Sequence, residues 1–158
     1  MQWADVLADP CLRDLPYKIE LDGYGRILMT PASNHHGRAQ ASLAHRLANR
    51  FASGAVITEC SVETADGVKV ADVAWLSDDF LARHGETTPY PQAPDLCVEV
   101  LSPSNTAPAI AAKAALYLQA GAREVWLVDE AGGRTIHGSE GVRATSAFAQ
   151  AADWPPLF

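Results

Sequence analysis

The order of elements along the chain predicts an α/β fold, a mixed β-sheet flanked by helices with a β-hairpin at the N-terminus. Three observations carry that expectation. The stretch from Leu96 to Asp129 reads strand, helix, strand, the unit that joins two parallel neighbours through a helical crossover. Two alternating runs, Ala55–Glu63 and Val68–Leu76, meet at Ala65-Asp66-Gly67, and Asp-Gly between such runs signals an antiparallel hairpin. One long helical pattern precedes this sheet and another lies inside the strand–helix–strand unit. A doubly wound nucleotide-binding fold fits less well, because no glycine-rich phosphate loop follows any strand.

Taken in order, Trp3–Leu7 begins as a short helix and Asp9-Pro10 stops it. Tyr17–Leu21 and Arg26–Thr30 flank Asp22-Gly23-Tyr24-Gly25, which predicts a hairpin ended by Pro31. Ser33 or Asn34 can cap a helix running to about Phe51, with Gly54 just beyond its end. One face of that helix carries His36, Gln40, Leu43, Leu47 and Phe51, polar at the start and apolar further on. Ser77 to His84 forms a short capped helix, and Pro89, Pro91 and Pro94 mark the loop before the strand Leu96–Leu101. A helix over about Ala107–Ala120 closes at Gly121, and strands follow at Glu124–Asp129 and Arg134–His137 around the Gly132-Gly133 turn. The alanine-rich tail to Phe158 is ambiguous.

The 158 residues suffice for a single domain, 1–158. With 48% hydrophobic and 20% charged residues the chain is globular. Its formal charge of −7 argues against a protein that coats nucleic acid with basic charge, while leaving room for a local basic groove. Arg38, Arg46, Arg50 and Lys69 are the candidates for such a patch, although arginines on an exposed helix face usually only solvate it. Cys11, Cys60 and Cys97 are too scattered for a disulfide framework or zinc site. With no secretory leader pattern, they are expected as reduced thiols in the cytoplasm. No apolar run approaches the roughly 20 residues of a membrane span.

Three charges lie where charge is costly. Glu99 is the centre of Leu96-Cys-Val-Glu-Val-Leu101, a strand apolar enough to be covered on both faces. A carboxylate there must be paired, metal-bound or protonated, unless the strand is an edge and Glu99 meets solvent. Lys113 is the one charged residue between Thr106 and Ala122, with Tyr117 one turn on. Its ordinary explanation, a solvated helix face, is weakened by the lack of other polar residues on that helix. Asp72 shares a strand face with Val68, Val70, Ala74 and Leu76, where the plain alternative is a structural hydrogen bond. Two carboxylates on adjacent strands plus a lysine from the next helix make up an inventory for binding Mg²⁺ and positioning a water on a phosphodiester.

Pro94-Asp-Leu-Cys-Val-Glu-Val-Leu-Ser-Pro-Ser-Asn-Thr, followed by Lys113, Tyr117 and Gly121-Ala-Arg-Glu-Val-Trp-Leu-Val-Asp129, resembles the Uma-type restriction endonuclease family. That family is a branch of the PD-(D/E)XK nuclease superfamily. The likeness extends upstream to Ala71-Asp-Val-Ala-Trp75, to His36 and to Glu20-Leu-Asp-Gly23, and is strongest over 17–137. It implies a restriction-endonuclease-like fold with Asp72 and Glu99 as metal ligands for Mg²⁺ or Mn²⁺ and Lys113 as the third catalytic group. Ala71 stands where the superfamily has its proline. Leu101 occupies the place of the usual lysine, which in this family moves to the following helix and matches Lys113. His36 and Gln40 are possible accessory residues, although a histidine at a helix start often serves as a cap. Tyr117 is a third accessory candidate and fits packing better than chemistry. Glu59, Glu63 and Asp95 are spare carboxylates.

The leading expectation is a Mg²⁺-dependent endonuclease acting on DNA, cytoplasmic and homodimeric. The competing one is a retired nuclease scaffold used as an interaction or oligomerisation module, which the net charge favours mildly. A carboxylate-pair glycosidase fails on size and on the lack of a long aromatic cleft.

Overall fold

The computed structural model describes residues 1–129 and 131–149. Positions 150–158 of the ambiguous tail lie outside the described residues. A short helix α1 (Trp3–Ala8) leads into a two-stranded hairpin, β1 (Tyr17–Leu21) and β2 (Ile27–Pro31). The helix α2 (Asn34–Arg50) follows, then the long antiparallel pair β3 (Ala55–Thr64) and β4 (Gly67–Leu76). After α3 (Asp78–His84) comes the parallel unit β5 (Leu96–Val100), α4 (Ala107–Gln119) and β6 (Glu124–Val128), then β7 (Arg134–Gly138) and β8 (Gly141–Arg143).

Strands β3 to β8 form one six-stranded sheet in sequence order, mixed because β5 and β6 run parallel while every other pair is antiparallel. The sheet separates two cores. On one side Ala39, Leu43 and Leu47 of α2 pack on Val73, Val98, Val100 and Trp126. On the other, Ala114 and Tyr117 of α4 pack on Ala74, Cys97, Val125 and Leu127. Covered on both faces, β5 and β6 are buried at every position, which is what their near-continuous apolar sequence requires.

Local chemistry sets the ends of the elements. Ser33 caps α2 through His36 N, Ser77 caps α3 through Phe80 N, and Thr106 caps α4 through Ala109 N. Arg26, expected to open β2, belongs to the turn instead, because the Asp22 carboxylate accepts from its backbone N–H and its guanidinium. The strand β8 was not foreseen: Gly-Val-Arg is too short to show alternation.

The β1–β2 hairpin stands outside the main sheet and docks on the β3–β4 turn. Lys69, buried, donates to Leu21 O and Asp66, and Gly23 N donates to Asp66 Oδ1. Gly67 sits at φ +78 with its α-carbon against the Leu21 and Asp22 carbonyls, so a side chain there would collide with backbone. Lys69 is therefore a docking residue and no part of a basic surface patch.

Candidate active site

The site starts from a fault in the sheet. Strands β4 and β5 pair at Trp75↔Leu96, Ala74↔Cys97 and Val73↔Val98, and pairing stops there. The next rung in that register would set Asp72 opposite Glu99. On the other flank of β4, the ladder with β3 runs through Thr58↔Val73 and Cys60↔Ala71 but omits Glu59 and Asp72 between them. Glu59 has φ 55, a left-handed conformation uncommon for a residue with a side chain. Glu59, Asp72 and Glu99 thus lie in one line across three strands, where backbone pairing gives way.

Side chains take over the bonds the ladder leaves unmade. Asp72 O accepts from Gln40 Nε2 at 2.8 Å, and the same amide reaches Glu59 Oε1 at 2.6 Å. Val100 N donates to Asp72 Oδ2 at 2.7 Å. One residue pair back along β4, Val70 N donates to Glu20 Oε1 at 2.7 Å, while Val70 O accepts from Lys113 Nζ at 3.3 Å. The parted strands let groups from both layers meet: His36 and Gln40 come from α2, Lys113 and Tyr117 from α4, Lys18 and Glu20 from the hairpin.

Asp72 and Glu99 are buried, at 1% and 3% exposure. They converge on one positive charge, since Lys18 Nζ lies 2.7 Å from Asp72 Oδ1 and 3.3 Å from Glu99 Oε2. His36 Nε2 is 3.1 Å from the same Asp72 Oδ1. On the far side of Glu99, Oε1 is 2.9 Å from Lys113 Nζ and accepts from the Tyr117 hydroxyl at 2.9 Å. Lys113 Nζ also lies 2.7 Å from Glu20 Oε1.

These charges set the protonation of the group. Burial works to raise the Asp72 pKa, yet the His36 bond and the Lys18 charge outweigh it and hold the carboxyl below the usual range. Glu99 moves the other way, because burial exceeds the pull of Lys113 and Lys18. Burial also opposes the Lys18 ammonium, but Glu99, Asp72 and Glu20 keep its pKa above the ordinary lysine value. The bond to Asp72 raises His36. Asp72 is the firmly ionised member of the pair and Glu99 the one more readily protonated.

The group forms the floor of an open cleft of about 760 Å³ between the hairpin and the start of α4. Five carboxylates line it, Glu20, Glu59, Asp66, Asp72 and Glu99, against the lysines 18, 69 and 113. That leaves two negative charges in excess with His36 neutral. Among the described residues no three His, Cys, Asp or Glu side chains are grouped as a metal cage.

The geometry brings together Asp72, Glu99 and Lys113, with His36 and Gln40 beside Asp72 and Tyr117 bonded to Glu99. Tyr117 combines full burial with that bond, so packing and a polar contact are one role. Glu59 joins the acid row through Gln40. Asp95 lies elsewhere and caps Ser77 N. Sequence reasoning missed Lys18 and assigned Glu20 no role in the site. In Tyr-Lys-Ile-Glu-Leu21 they alternate with the apolar Tyr17, Ile19 and Leu21 and look like an ordinary solvated strand face. No signal local to β1 identifies them, because the partners of this face, Val70, Asp72, Glu99 and Lys113, lie far along the chain.

A family model, Uma2, described as "Putative restriction endonuclease", matches residues 7–151. The chain belongs to the Uma2 family. Among solved structures it resembles a putative nuclease belonging to DUF820 from Anabaena variabilis ATCC 29413. The two share 15% identity with a TM-score of 0.72 over 99% of this chain and 95% of that one. At that identity the likeness speaks for the fold, a restriction-endonuclease-like mixed sheet flanked by helices. Among curated proteins there is no match. No helix among the described residues is long and apolar enough to cross a membrane.

Proposed function

We propose that this Uma2-family chain is an endonuclease that hydrolyses phosphodiester bonds of DNA with Mg²⁺ or Mn²⁺. The observation that carries the reading is the convergence of Asp72 Oδ1 and Glu99 Oε2 on one positive charge at the floor of an open cleft. Carboxylate oxygens gathered around a cation suit a hard divalent ion, which prefers oxygen ligands. Asp72 and Glu99 would hold it, and when bound it polarises a phosphoryl oxygen and lowers the pKa of an attacking water.

The chain's own groups do the positioning. His36 and Val100 N fix the two oxygens of Asp72, and Tyr117 fixes Glu99. Lys113, held by Glu20, Glu99 and Val70 O, places an ammonium at the cleft to orient the water or offset charge on the phosphoryl oxygens. A homodimer is the proposed cutting unit, and sedimentation velocity at the concentrations used for cleavage tests it.

The second reading is a retired scaffold. In its favour, Lys18, Lys69 and Lys113 are all already paired with carboxylates, so the cleft offers a phosphate backbone little uncommitted charge from them. Incubation of single- and double-stranded DNA with Mg²⁺, Mn²⁺ or chelator decides between them. Metal-dependent cleavage by the wild type that Asp72→Asn and Glu99→Gln abolish supports the enzyme. Absence of cleavage on every substrate, with the protein folded, supports the scaffold.

A further inference from the structure

We propose that Lys18 is the site's built-in counter-cation, and that a divalent ion binds by displacing its ammonium from between Asp72 and Glu99. The inference rests on the reading of those two carboxylates as metal ligands. It follows from how their oxygens are committed. Asp72 Oδ2 is taken by Val100 N, a ladder-type bond that the sheet itself holds in place. Glu99 Oε1 is taken by Lys113 and Tyr117. The oxygens that face one another across the gap are Asp72 Oδ1 and Glu99 Oε2, and the one donor common to both is Lys18 Nζ. Those two oxygens, with His36 Nε2 also on Asp72 Oδ1, are the ones that would hold a shared ion, and two cations cannot share that space.

Lys18 is also the partner best able to leave. Lys113 is anchored by a third group, Val70 O, and by Glu20. Among the described residues Lys18 Nζ bonds to the two carboxylates, and it is carried by the hairpin that stands apart from the six-stranded sheet. Its four-carbon stem lines the cleft, so the ammonium can swing toward solvent without any strand moving. Without metal, the same ammonium offsets two buried negative charges that would otherwise repel each other.

The test is metal binding without substrate. Mn²⁺ affinity is measured by the electron paramagnetic resonance signal of the free ion, on wild type and on Lys18→Met, Lys18→Arg and Asp72→Asn. A charge at this range alters the affinity of a site for a cation by on the order of tenfold or more. Lys18→Met should therefore bind Mn²⁺ on the order of tenfold more tightly than wild type. Lys18→Arg, which keeps the charge at the same position on β1, should stay close to wild type. Thermal melting adds a second readout: Lys18→Met should melt lower in chelator and gain more from Mg²⁺ than wild type does.

Equal or weaker binding by Lys18→Met, with binding lost in Asp72→Asn, overturns the displacement and leaves the metal-ligand reading standing. Binding that is absent in all four proteins, or indifferent to Asp72→Asn, overturns both. Should Lys18→Met fail to fold without metal, the nuclear magnetic resonance signal of the Lys18 side-chain ammonium in wild type replaces it. Loss of its protection from exchange with water on adding Mg²⁺ supports the displacement, and an ammonium equally protected in Mg²⁺ and in chelator overturns it.

Discussion

Glu99 and Glu124 sit on neighbouring parallel strands, both buried, and are partnered in opposite ways. Glu124, at the start of β6, is fully enclosed. Its oxygens accept from Trp126 Nε1 at 3.0 Å, Ser146 Oγ at 2.6 Å and Ala147 N at 2.7 Å, with Arg143 at 3.5 Å. Short, mostly neutral donors pin the segment after β8 onto the sheet. Glu99, near the far end of β5, has an ammonium from β1 and an ammonium and a hydroxyl from α4, and its surroundings open on a cleft. Burial of a carboxylate therefore does not by itself mark a site. What distinguishes Glu99 is a partner set built of long, exchangeable cations at an opening, whereas Glu124 is tied locally and closed off.

The largest expected effect separates the two on activity. Lys113→Ala should lower cleavage by about a hundred- to a thousandfold, the usual cost of removing one electrostatic stabiliser of the transition state. Glu124→Ala should leave cleavage per folded molecule unchanged. Matched rates are taken at a temperature where circular dichroism shows every variant folded. A full-rate Lys113→Ala would remove Glu99's claim to be the active end of the sheet.

Stability should sort them the other way. Glu124→Ala strands several buried donors, at about 1–3 kcal/mol for each group left unpaired. A urea titration should show a loss of about 3 kcal/mol or more. Glu99→Gln should cost less, because the lost charge also relieves repulsion with Asp72 and Glu20. If Glu124→Ala melts like wild type, the proposed latch has no mechanical role.

A smaller signature lies in pH. His36 has a pKa raised above its ordinary 6.5 by the bond to Asp72. Its stabilisation is then complete below about that pH and fades as pH rises through the higher, folded value. Measured in chelator, the stability gap between wild type and His36→Ala should be widest near pH 6 and narrow at alkaline pH. Asp72, shifted down, keeps its contribution until the solution is more acid than its unfolded value of 3.8. A gap that widens with rising pH would contradict the His36–Asp72 contact.

The smallest effect is chemical labelling. Cys11 is exposed, while Cys60 and Cys97 are buried, and burial pushes the Cys60 thiol up to about 12. Iodoacetamide should label Cys11 in the folded protein and reach the other two only on unfolding. Cys97 pairs with Val125 one rung from Glu124 and shares the strand face of Glu99, so its labelling in native protein would show that the sheet opens between the two carboxylates.

Much of this was legible in the sequence, and the limits are physical. Asp72, Glu99 and Lys113 stood out because each interrupts an apolar run, where charge needs a reason. The strand–helix–strand unit and the Asp66-Gly67 hairpin were equally plain. Glu124 escaped notice because it follows Arg123 and opens its strand, a position that ordinarily meets solvent. Lys18 and Glu20 escaped because alternation says which face a side chain takes and not what lies opposite that face. The missing rungs at Asp72 have no local sequence signal, since register depends on partners far along the chain.

The ladder also acts as a ruler. The Val73↔Val98 pairing, and not the connection from Ser77 to Asp95, sets the separation of Asp72 and Glu99. Insertions at the exposed stretch 85–88 of that connection, between the core residues Phe80 and Tyr90, can reshape the protein's outer surface without altering the spacing of the carboxylates. Deleting Val73 would turn Asp72 and the first half of β4 to the opposite face. The protein is therefore tolerant of added length at 85–88 and intolerant of any change of length at Asp72 or Val73.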